Sequence, residues 1–146
     1  MSQQNLDLVL GLYPGPTLDL ATVSRDEKLA DQVFAEWVSR LRPDCECVVV
    51  DVPEGERTAC TGLEEIKAFW LRWLAPWEMF RAAVDEAIDC GKKVVVLHHV
   101  FGRPKGGTSV VQFTGTDVWT IRDGRIARVE FHARREEGLR AAGLEA

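Results

Sequence analysis

The chain has 146 residues, 46% of them hydrophobic and 28% charged, and its formal net charge is −5 from 23 acidic and 18 basic side chains. That is the length of one domain, residues 1–146, and a fold of this size buries roughly 68–70% of its unfolded surface, so it requires neither disulfides nor a metal to hold a core. The acidic balance, with no sustained Lys/Arg run, excludes a nucleic-acid partner, and no apolar stretch approaches the ~20 residues of a membrane helix.

The N-terminal residues have no basic start and no long apolar run, which argues against a secretory leader. Cys45, Cys47, Cys60 and Cys90 lack the usual zinc spacing. They read as reduced thiols of a cytoplasmic protein, with no metal site. Leu6, Val9, Leu10 and Tyr13 have helical spacing, and Pro14-Gly15-Pro16 stops that helix. A second helix is expected from Ser24, with Glu27 completing a capping box and an apolar stripe running through Leu29, Val33, Phe34, Trp37 and Leu41 to Pro43. Residues 45–52 read as a valine-rich strand, followed by a short extended piece at 57–60. Thr61 and Glu64 then suggest a capping box for a third helix through Ile66, Trp70, Trp73 and Leu74.

From Trp77 the apolar period becomes two. Four strands are expected at 77–90, 93–102, 108–122 and 125–134, the last two joined by Asp123-Gly124, a type I′ turn signal. A short helix over 135–142, closed by Gly143, ends the chain. Helices first and a strand meander last is an α+β pattern, a curved antiparallel sheet packed on N-terminal helices. Strand 93–102 is apolar on both faces, so a homodimer through the outer sheet face is expected.

Alternation places Asp117 on an apolar face with Phe113, Gly115 and Trp119. A carboxylate buried there is relieved by a raised pKa or a good partner, which makes it a candidate site residue. The same test puts Glu86 with Phe80 and Val84, Asp51 with Cys45, Cys47 and Val49, and Val129 and Phe131 on the inner face of the last strand, with His132 facing out. His98 and His99 point to opposite faces, and His99 is the one expected in the pocket. Trp37, Trp70, Trp73, Phe80, Phe113 and Trp119 supply the bulk for an aromatic wall around an apolar ligand.

The chain resembles the SnoaL-like polyketide cyclase branch of the nuclear transport factor 2-like superfamily, which includes ketosteroid isomerases. The resemblance is carried by Leu12-Tyr13, by Thr61-Gly62-Leu63-Glu64-Glu65-Ile66, by Ile88-Asp89-Cys90-Gly91, by residues Val118 to Ile126, and by Glu137 to Leu144. It implies a cone-shaped, cystatin-like α+β barrel around a pocket for a small apolar molecule, steroid- or polyketide-like. Laid on the isomerase pattern, Asp51 matches the general base, Asp117 a protonated aspartic acid that donates to the developing enolate oxygen, and Tyr13 a second donor. Isomerisation or cyclisation next to a carbonyl, without a cofactor, is the implied activity. A non-catalytic dimeric ligand-binding or interaction module would use the same cone. The Asp-Arg-Asp set of the superfamily's epoxide hydrolases is not matched, because Phe131 stands where one Asp is expected.

Overall fold

A computed structural model describes residues 2–50 and 57–144. Helix α1 (Ser2–Leu10) is short, and one further turn carries the chain through Leu12 and Tyr13 before the prolines. The Arg40 guanidinium donates to the carbonyls of Asp7 and Leu8, satisfying the last turn of α1.

The expected second helix is two helices. Asp19 caps α2 (Leu20–Arg25), accepting from the Ala21 and Thr22 amides, and Asp26 caps α3 (Glu27–Val38), accepting from Lys28 and Leu29. Ser24 does not cap; its hydroxyl donates back to the Ala21 carbonyl. Asp19 also accepts from the Phe80 amide at 3.0 Å, tying α2 to the sheet. Pro43 does not end a helix. It lies in strand β1 (Leu41–Val50), where the pairing with the neighbouring strand is irregular between Leu41 and Glu46, a place that tolerates a missing amide donor. After β2 (Arg57–Thr61), helix α4 (Leu63–Leu74) starts from Gly62 at φ 91°. There Glu65, not Glu64, reaches back to the Thr61 amide at 2.9 Å.

The long strands β3 (Trp77–Asp89), β4 (Lys93–Pro104), β5 (Val111–Arg122) and β6 (Arg125–His132) form the expected meander, and helix α5 (Arg135–Ala141) follows. The six strands make one sheet in the order β2-β1-β6-β5-β4-β3. All neighbours are antiparallel except β1 and β6, which run parallel with Cys47 opposite Val129 and Val49 opposite Phe131. That one parallel pairing sets the first strand beside the last and curls the sheet into a trough. Helices α2 to α4 close its concave face, with Trp37 against Trp70 at 5.0 Å between ring centres.

The outer face is partly covered by the chain itself. Helix α5 lies across β5 and β6, where Gly138 approaches Thr116 so closely that a Cβ on it would sit 2.4 Å from the Thr116 methyl. Val95, Leu97, Thr116 and Val118 are buried on that face. The second apolar face of β4 therefore has a cover other than a partner subunit. His132 faces out as expected, yet it is buried under α5 rather than exposed. Among the described residues no helix is long and apolar enough to cross a membrane.

Candidate functional site

The concave face and the helices enclose a cavity of about 310 Å³, at the small end of the ~300–1,000 Å³ usual for ligand sites. The helices contribute Trp37, Trp70 and Trp73 to its wall, and the sheet contributes Phe80, Phe113, Trp119, Val129 and Phe131. Trp73 and Phe113 are more than one-third exposed and form the rim, whereas Trp70 and Trp119 lie deep. Cys45 and Cys47 line the β1 wall. Burial pushes the Cys45 thiol up to about 12, aided by the Asp44 charge, and pushes Cys47 up as well, so both are neutral thiols there.

One cluster interrupts the apolar lining. Asp117, 4% exposed in mid-β5, accepts from the Tyr13 phenol through Oδ2 at 2.5 Å and meets His98 Nε2 through Oδ1 at 3.0 Å. The Trp119 indole N–H donates to the Tyr13 oxygen at 2.8 Å. Asp117 and Trp119 share a face by strand alternation, and the turn after α1 brings Tyr13 to them across the sheet. Burial, then the Asp117 charge, raises the Tyr13 pKa well above its ordinary value, so the phenol keeps its proton. For His98 burial pushes downward, but the Asp117 hydrogen bond and charge outweigh it, and the imidazole pKa is raised. Both oxygens of Asp117 thus serve as acceptors. The neutral-donor role expected for Asp117 would require it to release one of these donors, and the arrangement instead suits an ionised carboxylate.

Two expected residues are elsewhere. His99 points outward, hydrogen-bonded through Nδ1 to Asp85 and stacked near Phe101; it is His98 that lines the cavity. Glu86 is exposed on the outer face, because the β3–β4 register shifts between Val84 and Glu86. One extra residue at that bulge reverses the alternation, so Ala87 takes the inner position that Glu86 would have had. Asp51 lies outside the described residues. His98 was missed because both faces of β4 are apolar and parity alone cannot choose between them. The signal available was Gly115, its cross-strand partner: a Cβ there would lie 2.7 Å from the His98 ring. A glycine inside a strand marks such a close approach. Among the described residues no group of three or more His, Cys, Asp or Glu side chains is placed to hold a metal ion.

Residues 22–129 match the model of the SnoaL-like domain family. The chain belongs to that family. No curated protein gives a significant match. Among solved structures, this SnoaL-like domain is similar to an NTF2-like protein of unknown function from Burkholderia pseudomallei, with 22% identity, a TM-score of 0.66 and coverage of 94% of this chain and 95% of that one. It is similar to TerC, co-crystallised with polyporic acid, with 23% identity, a TM-score of 0.67 and coverage of 96% and 98%. A protein of ketosteroid isomerase-like fold from Catenulispora acidiphila, in complex with trimethylamine, matches at 18% identity and a TM-score of 0.58, covering 90% and 95%. At these identities the likeness shows the fold. The SnoaL-like domain thus has the NTF2-like α+β architecture, with the Tyr13–Asp117–His98 cluster as the polar part of its cavity.

Proposed function

We propose that this SnoaL-like domain binds a small, largely apolar molecule, steroid- or polyketide-like, and acts on it by cofactor-independent acid–base chemistry next to a carbonyl, as an isomerase or cyclase. The observation that carries the reading is a carboxylate buried in an aromatic wall and held at both oxygens, by Tyr13 at 2.5 Å and His98 at 3.0 Å. The polyporic acid with which TerC was co-crystallised is the kind of small ligand such a cavity would take.

In this reading Asp117 is the proton acceptor. When a proton leaves the substrate for Asp117, the carboxyl loses the charge that attracts the Tyr13 O–H. The phenol is then free to turn to the enolate oxygen forming beside it, a donor placed where charge develops. His98 holds Asp117 in position throughout. Asp51, the base implied by the isomerase resemblance, lies two residues after Val49, which lines the cavity opposite Phe131. It stays in the proposal as a second carboxylate.

The test is exchange of the α-protons of 2-tetralone in D2O, followed by NMR. Wild-type protein is expected to accelerate it, and Asp117→Asn to lose roughly 100-fold or more of that acceleration, the scale of general base catalysis. An equal loss in Asp51→Asn assigns that residue to the proton path. Acceleration that is absent in wild type, or unchanged in Asp117→Asn, leaves a binding module and removes the catalytic reading.

A further inference from the structure

The polar end of the cavity has a definite hydrogen-bonding sense. A carboxylate offers about four acceptor positions, and Asp117 has two of them filled, by Tyr13 and by His98 Nε2. The Tyr13 O–H points at Asp117, and the Trp119 N–H points at Tyr13. His98 Nδ1 is buried without a partner and is closed off from the cavity. Every accessible N–H and O–H of this cluster is therefore turned onto another member of it. What remains toward the cavity is acceptor capacity, on Asp117 and on the Tyr13 oxygen.

A ligand carbonyl or carboxylate brought to this end meets lone pairs only, and a buried acceptor without a donor is strongly disfavoured. A hydroxyl completes a third, charge-assisted bond to the carboxylate. An ammonium could donate as well, but it would lie next to an imidazole that already shares the Asp117 charge and is itself drawn toward the protonated form.

We propose that the ligand of this cavity is an enol or a phenol, a largely apolar body whose neutral hydroxyl donates its hydrogen to Asp117 beside Tyr13. This rests on the acid–base reading of the same cavity and narrows its substrate class: the enol, with its O–H on the base, is the form held best, and the ketone from which Asp117 takes its proton is held more weakly.

A matched series separates the alternatives: 2-naphthol, 2-methoxynaphthalene, 2-naphthoate and protonated 2-(aminomethyl)naphthalene, titrated by calorimetry at neutral pH. The expected result is 2-naphthol bound about ten-fold tighter than its methyl ether, which keeps the body and loses only the donor. The naphthoate should bind most weakly. In Asp117→Asn the naphthol preference should fall to about two-fold or less. Tyr13→Phe removes one donor from Asp117 without removing the carboxylate, and there the preference should persist or grow. Equal binding of naphthol and ether in wild type overturns the proposal, as does tightest binding by the naphthoate or by the ammonium. A preference lost in Tyr13→Phe overturns it too. The outcome is independent of turnover: a naphthol preference without 2-tetralone exchange removes catalysis alone, and exchange without the preference removes the enol alone.

Discussion

Gly115 faces His98 across the β4–β5 ladder, and the imidazole lies over the space a side chain would fill. Gly115→Ala should push the ring off Asp117 while leaving the strand intact. The raised His98 pKa depends on that contact. NMR titration is therefore expected to show His98 above its usual ~6.5 in wild type and lower in both Gly115→Ala and Asp117→Asn. The sign for stability follows from the direction of the shift. A histidine whose folded pKa is raised adds stability that is full below its unfolded pKa and is lost as pH rises through the folded value. The stability gap between wild type and Asp117→Asn should narrow in urea titrations as pH rises from the ordinary histidine value of about 6.5 through the raised folded value; a constant or widening gap would show that Asp117 does not hold an imidazolium. At this scale Asp117 was legible in the sequence, because a lone carboxylate in an apolar alternation stands out. His98 was not, because Val94 to Phe101 is apolar on both faces and only the neighbouring strands decide which face is the cavity.

Helix α5 is short, and its position depends on one glycine. Helix propensity alone favours Gly138→Ala by about 1 kcal/mol. The added Cβ would meet the Thr116 methyl at 2.4 Å, and such overfilling typically costs about 1–3 kcal/mol. The expected net effect is a lower urea midpoint, with α5 lifted from Thr116 and Val118; a stabilised variant would mean that α5 does not sit where the structure places it. Most elements could be read from the sequence, since period and turn residues are local signals. The four long strands, the Asp123-Gly124 turn and the Gly143 stop, at φ 84°, all lie close to their expected places. The division of α2 from α3 was not read, because Asp19, Ser24 and Asp26 are all good cap residues and the contact with the Phe80 amide favours Asp19. The bulge in β3 was equally hidden. It depends on how β4 pairs, and no residue in Val84 to Glu86 announces it.

With α5 in place, the outer face left uncovered is a strip on β3 to β5 that includes Ala83, His99, Phe101 and Gln112. The homodimer proposed from the two-faced strand now rests on that strip. Sedimentation at micromolar concentration is expected to show a dimer, and Phe101→Glu a monomer of unchanged fold; a wild-type monomer would remove the proposal and leave α5 as the sole cover. The sequence by itself determined the element types, the α+β class, the family and the inward face of β5, because each depends on local periodicity or on short motifs. Only the tertiary structure decided that β1 runs parallel to β6, that Tyr13 crosses the sheet to Asp117, and that His98 and not His99 completes the cluster. Those are contacts between residues 19 to 104 positions apart. They are set by how strands pair and how the sheet curls, and neither property is written into any one segment of the chain.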